Sequence, residues 1–124
     1  MKKYSQISVG ELLDKISILR IKSEKLSDPE KLKHVQHELY ALTKETYDVS
    51  NSEPWIEKLV KINSELWDIE DKIREKERES QFDSEFIEIA RSVYFTNDKR
   101  FEVKNEINKF YNSDVKEQKG YEKY

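Results

Sequence analysis

The sequence predicts an all-α fold: a small helical bundle of two helical hairpins, four main helices in all, with a polar C-terminal tail. Three observations predict it. Apolar residues recur three and four apart, the spacing of one face of an α-helix. Each run opens on a capping residue and closes on a polar break. No segment sustains the two-residue alternation of a half-buried strand. The expected organisation is one bundle domain over 1–112 and a polar tail over 113–124.

The first helix should start at Ser8-Val9-Gly10-Glu11, a capping box in which Ser8 accepts the amide three residues on and Glu11 reaches back. Its stripe is Leu12, Ile16, Leu19, Ser23 and Leu26, ending at Ser27-Asp28-Pro29. Asp28 can cap a second helix with Pro29 in its first turn. That helix carries the cleanest heptad-like line, Leu32, Val35, Leu39, Leu42, Thr46 and Val49, the pattern of a coiled-coil seam. After the break at Ser50-Asn51-Ser52, Ser52 should cap the third helix, with its stripe at Leu59, Ile62, Leu66, Ile69 and Ile73. The end, Arg74 to Glu79, has no apolar face and should project into water. Asp83 or Ser84 should open the fourth helix. Its expected inner line is Phe86, Ala90, Val93, Asn97, Arg100 or Phe101, Lys104, Ile107 and Tyr111.

Composition narrows the chemistry. The chain has 124 residues, 23 Lys and Arg against 26 Asp and Glu, and a formal net charge of −3. Charged residues reach 40%, against about 25% in ordinary domains. Low apolar content with high charge suggests disorder, but 11% aromatics and strict periodicity oppose that reading. The two glycines, Gly10 and Gly120, are too far apart for a phosphate-cradling loop. The absence of cysteine removes disulfides, thiolate metal sites and cysteine nucleophiles. Lys and Glu alternate over Lys72 to Glu79, so no basic stripe forms and no nucleic-acid partner is expected. No apolar run approaches the roughly 20 residues of a membrane span. No apolar signal core follows Met1-Lys2-Lys3-Tyr4-Ser5, so a cytoplasmic location is expected.

Candidate site residues cluster in the middle of the fourth helix. Arg91, Tyr94, Asn97, Asp98, Arg100 and Lys104 could line a polar pocket, with Arg91, Arg100 and Lys104 holding a carboxylate or phosphate. The structural alternatives are that Asn97 fixes helix register and that Lys104 extends its ammonium to water. Such roles are the commoner fate of polar residues at inner positions. A second candidate set is acidic. Glu11 and Asp14, and Glu65 and Asp68, each lie three apart on one helix face. Two such pairs facing each other could hold a magnesium ion. They distantly resemble the acidic pairs of all-helical nucleotide pyrophosphatases, without that family's surrounding motif. His34 and His37, the only histidines, flank Val35 and read as packing or surface residues. Trp55 and Trp67 read as anchors between helices. No cofactor is expected.

Four segments carry a family resemblance: Ser8 to Ile16, Asp28 to Leu32, Leu66 to Arg74, and Phe86 to Arg100, above all Ala90-Arg91-Ser92-Val93-Tyr94. Together they resemble an uncharacterised family of small all-helical bacterial and phage proteins, often encoded near cell-surface polysaccharide genes. The resemblance spans nearly the whole chain and implies no assigned activity and no catalytic residues. The helical pattern is similar to chorismate mutases only as fold analogy.

Two functions are therefore expected in order. The first is a non-catalytic helical interaction module, self-associating as a homo-oligomer, most simply a dimer, that also docks on another protein. Low apolar content and the clean seam on the second helix motivate it. The alternative is a binding protein or enzyme for an anionic small molecule, with its site in the middle of the fourth helix.

Overall fold

A computed structural model describes residues 1–124. Four helices form, and no strand: α1 (Val9–Lys25), α2 (Pro29–Lys44), α3 (Glu53–Arg78) and α4 (Ser84–Phe110). A short 3-10 turn, Glu45–Asp48, follows α2. The helices pair as α1/α2 and α3/α4, and α1 packs against both helices of the second hairpin. α2 comes close only to α1 and the 3-10 turn.

The helix starts obey local chemistry with two exceptions. Ser8 Oγ accepts from the Glu11 amide at 3.0 Å, Asp28 Oδ1 from Glu30 at 2.9 Å, and Asp83 Oδ1 from Phe86 at 2.9 Å. The reciprocal half of the capping box does not form, because Glu11 is drawn instead to Lys104 on α4. Ser52 already has helical dihedrals and makes no side-chain cap. The start of α3 is held instead by Glu53, which Arg20 of α1 grips with both guanidinium nitrogens, Nη2 to Oε2 at 2.9 Å. The seam of α2 also ends early: the α-helix stops at Lys44, and only Val35 within it is fully buried.

The hydrophobic core is compact. Leu12, Leu13, Ile16, Val49, Ile56, Leu59, Val103 and Ile107 form one buried cluster, with Leu39, Leu42, Trp55, Ile62 and Tyr111 packed around it. Trp55 anchors as expected, its ring 5.6 Å from that of Phe110. The core occupies one end of the α3/α4 hairpin. Past Leu66 on α3, and before Thr96 on α4, no residue is fully buried. At about 1.5 Å per residue, nearly half of each long helix extends beyond the core.

The inner line of α4 keeps Lys104 and Ile107 as expected and departs from expectation at Asn97, whose place Thr96 takes. Thr96, Val103, Lys104, Ile107 and Asn108 are buried, whereas Asn97 is exposed. The cause lies in α1, whose close approach selects the face of α4 that it covers. Gly10 makes that approach possible. Its amide donates to Asn108 Oδ1 at 2.7 Å. A Cβ on residue 10 would lie 2.6 Å from the Lys104 carbonyl oxygen and 2.9 Å from Asn108 Oδ1. Helix α4 closes on Asn112, which takes a left-handed φ of 51°, a conformation that Asn tolerates better than most residues. Ser113 is buried just beyond it. Its hydroxyl accepts from the Val9 amide at 3.1 Å and donates to the Val115 carbonyl at 2.7 Å.

Gly10→Ala should therefore destabilise the fold by about 1–3 kcal/mol, the usual cost of forcing a methyl into a packed site. A urea midpoint unchanged in that variant would refute the close-approach argument. Gly120→Ala, whose added Cβ meets nothing within 4 Å, is the matched control.

Candidate functional site

The site is built around Asp14. It occupies the second turn of α1, on the face that meets α3 and α4, and it is 0% exposed. A carboxylate removed from water needs close partners of opposite charge or strong donors. Arg100 of α4 supplies a fork: Nε donates to Oδ1 at 2.9 Å and Nη2 donates to Oδ2. Asn63 of α3 adds an amide, donating to Asp14 Oδ1 at 2.9 Å and to Ser17 Oγ at 2.8 Å. The Ser17 hydroxyl in turn donates to the Asp14 carbonyl at 2.6 Å. One carboxylate thus ties three helices together.

One turn along α4 lies Lys104, 5% exposed. Its ammonium donates to Glu11 Oε2 at 2.7 Å and stands 3.9 Å from Asp14 Oδ2. It is also 2.9 Å from Glu117 Oε1 of the tail. Lys119 pairs with the other Glu117 oxygen at 2.9 Å. Burial would lower the Lys104 pKa, but the hydrogen bond to Glu11 and the neighbouring Glu117 and Asp14 carboxylates outweigh it and hold it above the ordinary lysine value. Burial would raise Glu117, and Lys119 and Lys104 overcome that, holding it below the usual glutamate value.

Residues 114–124 lie along α4 without regular structure. The Tyr121 hydroxyl donates to Asp98 Oδ1 at 2.7 Å, and the Tyr124 hydroxyl donates to Asp98 Oδ2. These two bonds pull the Asp98 pKa down and push Tyr124 up to about 12. The Tyr124 ring also packs 5.4 Å from Tyr94 and 4.9 Å from Phe95. Between α4 and the tail remains a groove of about 580 Å³, within the size range of small-molecule sites.

Five of the six residues singled out on the fourth helix meet at this groove: Tyr94, Asn97, Asp98, Arg100 and Lys104. Arg91 lies outside it, exposed, with Nε 3.4 Å from the Tyr94 hydroxyl. The acidic pairs are not brought together. Glu11 and Asp14 join the cationic cluster, while Glu65 and Asp68 stand exposed on α3. No three acidic, His or Cys side chains converge to hold a metal ion. His34 and His37 are exposed.

Sequence reasoning missed Ser17, Asn63, Asn108 and Glu117. Asn63 carried a legible signal, a polar residue lying on the stripe between Leu59 and Leu66. Glu117 carried none, because its partner is decided by the path of an irregular tail.

Asp14→Ala should cost about 3–5 kcal/mol by stranding Arg100. Asp14→Leu combined with Arg100→Met should recover much of that loss in a denaturation cycle. Additive losses would show that the pair is not coupled. Tail docking should depend on pH at both ends. Glu117 and Asp98 are depressed when folded, so their contribution is complete above the usual carboxylate range and is lost as pH falls through their lowered values. Lys104 and Tyr124 are raised, so theirs is complete below their ordinary values and is lost as pH climbs through the raised ones. The Tyr121 and Tyr124 ring resonances should shift to free-tail positions at acidic pH before the bundle unfolds.

No curated protein and no solved structure matches this chain. A family model does, over residues 1–124. The resemblance to an uncharacterised family thus has its counterpart, and that family carries no assigned activity: the chain belongs to the family of unknown function DUF6165.

Proposed function

We propose that this protein is a binding module for an anionic small molecule, with the groove between α4 and the tail as its site. One observation carries the reading: five residues nominated from sequence line one cavity, and two of them, Arg100 and Lys104, belong to an ionic cluster with Asp14 and Glu11. Buried ion pairs are a poor source of stability, because desolvation offsets most of their attraction. A chain with only 35% hydrophobic residues devotes scarce interior space to one. The cluster ties three helices together, and its cations Arg100 and Lys104 also line the cavity, where an anion can meet them. Asn97 adds an exposed amide at the rim, and Tyr94 and Phe101 add apolar walls.

The resemblance to bacterial and phage proteins encoded near surface-polysaccharide genes makes phosphosugars and nucleotide sugars the first anions to screen, in a cytoplasmic setting. A second reading, the self-associating interaction module, is supported by a different region. Phe82 and Ile87 are 57% and 56% exposed at the far end of the α3/α4 hairpin, where no other helix packs. A second copy laid on that end would convert two helices into four.

A thermal-shift screen against these anions should raise the melting temperature by several degrees for at least one class. Asn97→Ala should abolish the shift while leaving the unliganded midpoint unchanged, since Asn97 is exposed. No stabilisation by any anion would refute the binding reading. Light scattering at high concentration separately tests association: a strict monomer would refute the dimer.

A further inference from the structure

We infer that the Glu117 carboxylate occupies the anion position of the groove, and that a ligand's carboxylate or phosphate binds there by replacing it on Lys104; the inference rests on the binding reading above.

Three observations lead to it. Glu117 is the only tail carboxylate brought to the buried ionic cluster, 2.9 Å from Lys104 Nζ on one oxygen and 2.9 Å from Lys119 Nζ on the other. It makes a poor occupant. Oε1 is shielded from solvent yet forms no aligned hydrogen bond, touching Lys104 as an ion pair alone. Lysine offers three donors, and Glu11 already takes one of them in good geometry at 2.7 Å. An anion free to choose its approach can meet the remaining donors better than a side chain tethered from the tail.

The rest of the tail holds loosely. Tyr121 and Tyr124 remain 56% and 67% exposed, and their partner Asp98 lies on the surface side of α4. Exposed polar contacts of this kind contribute little to stability. Arg100 and Lys104 balance Asp14 and Glu11, so the tail contributes Glu117 and Lys119 as a neutral pair. A ligand anion that displaces Glu117 inherits Lys104 and can retain Lys119 as the tail shifts.

A tethered carboxylate competes at the millimolar effective concentrations typical of short linkers. Its removal should therefore tighten binding of a free anion by the factor that docking had withheld.

The test uses the full chain at neutral pH and fixed ionic strength, titrated with inorganic phosphate and, separately, with succinate. Backbone resonances of residues 94–104 report binding, and the Tyr121 and Tyr124 ring resonances report the tail. For the wild type, weak binding with movement of both tyrosines toward free positions is expected. Glu117→Gln and Glu117→Ala should both bind at least tenfold more tightly, with the tyrosines already shifted before titration. Equal affinity in wild type and both variants would overturn the inference while leaving the binding reading intact. Binding with the tail still docked would overturn it in the same way. No binding of either anion to any of the three proteins would overturn both. Phosphate without succinate, or the reverse, would support the inference and assign the ligand's anionic group.

Discussion

The structure turns on one constraint: a carboxylate with no water must be surrounded by donors. Asp14 imposes that requirement on three helices at once. Arg100 fixes the rotation of α4, Asn63 fixes the register of α3, and Ser17 locks the local turn of α1. A hydrophobic cluster of eight buried residues tolerates many packings of similar volume. A forked ion pair with a third hydrogen bond tolerates few. Shape is therefore set by polar geometry, while the apolar residues supply the cohesion.

That division explains what could be read from the sequence. Helix number, helix ends and the apolar stripes were legible because they depend on neighbours along the chain: Ser8, Asp28 and Asp83 cap as their local context dictates. Ser52 was misread for a long-range reason, since Arg20 reaches Glu53 from another helix and the start of α3 does not depend on a serine cap. Only the middle of α4 departs from expectation, where Thr96 and not Asn97 is buried. Its sequence permits Asn97 or Thr96 to face inward, and Gly10 decides between them by letting α1 come close at Asn108.

The candidate site shows the same boundary between local and distant information. Polar residues on the inner line of a helix are visible in sequence, and Arg100 and Lys104 line the groove. Their partners were less visible. Glu11 read as half of a capping box and Asp14 as half of a metal pair; each instead neutralises a cation from α4. Residue type and spacing reveal that a charge is present, and only the fold reveals which opposite charge answers it.

Ser113 gives the tail a particular mechanical character. Its buried hydroxyl accepts from the first amide of α1 and donates to the Val115 carbonyl, so the root of the tail is fastened to the opposite end of the chain. Residues beyond Val115 are held by side-chain contacts to α4, from Glu117, Tyr121 and Tyr124. They form an arm on a fixed pivot, and nine residues fully extended sweep a radius of about 30 Å. Such an arm can leave its own groove while Ser113 keeps its root in place.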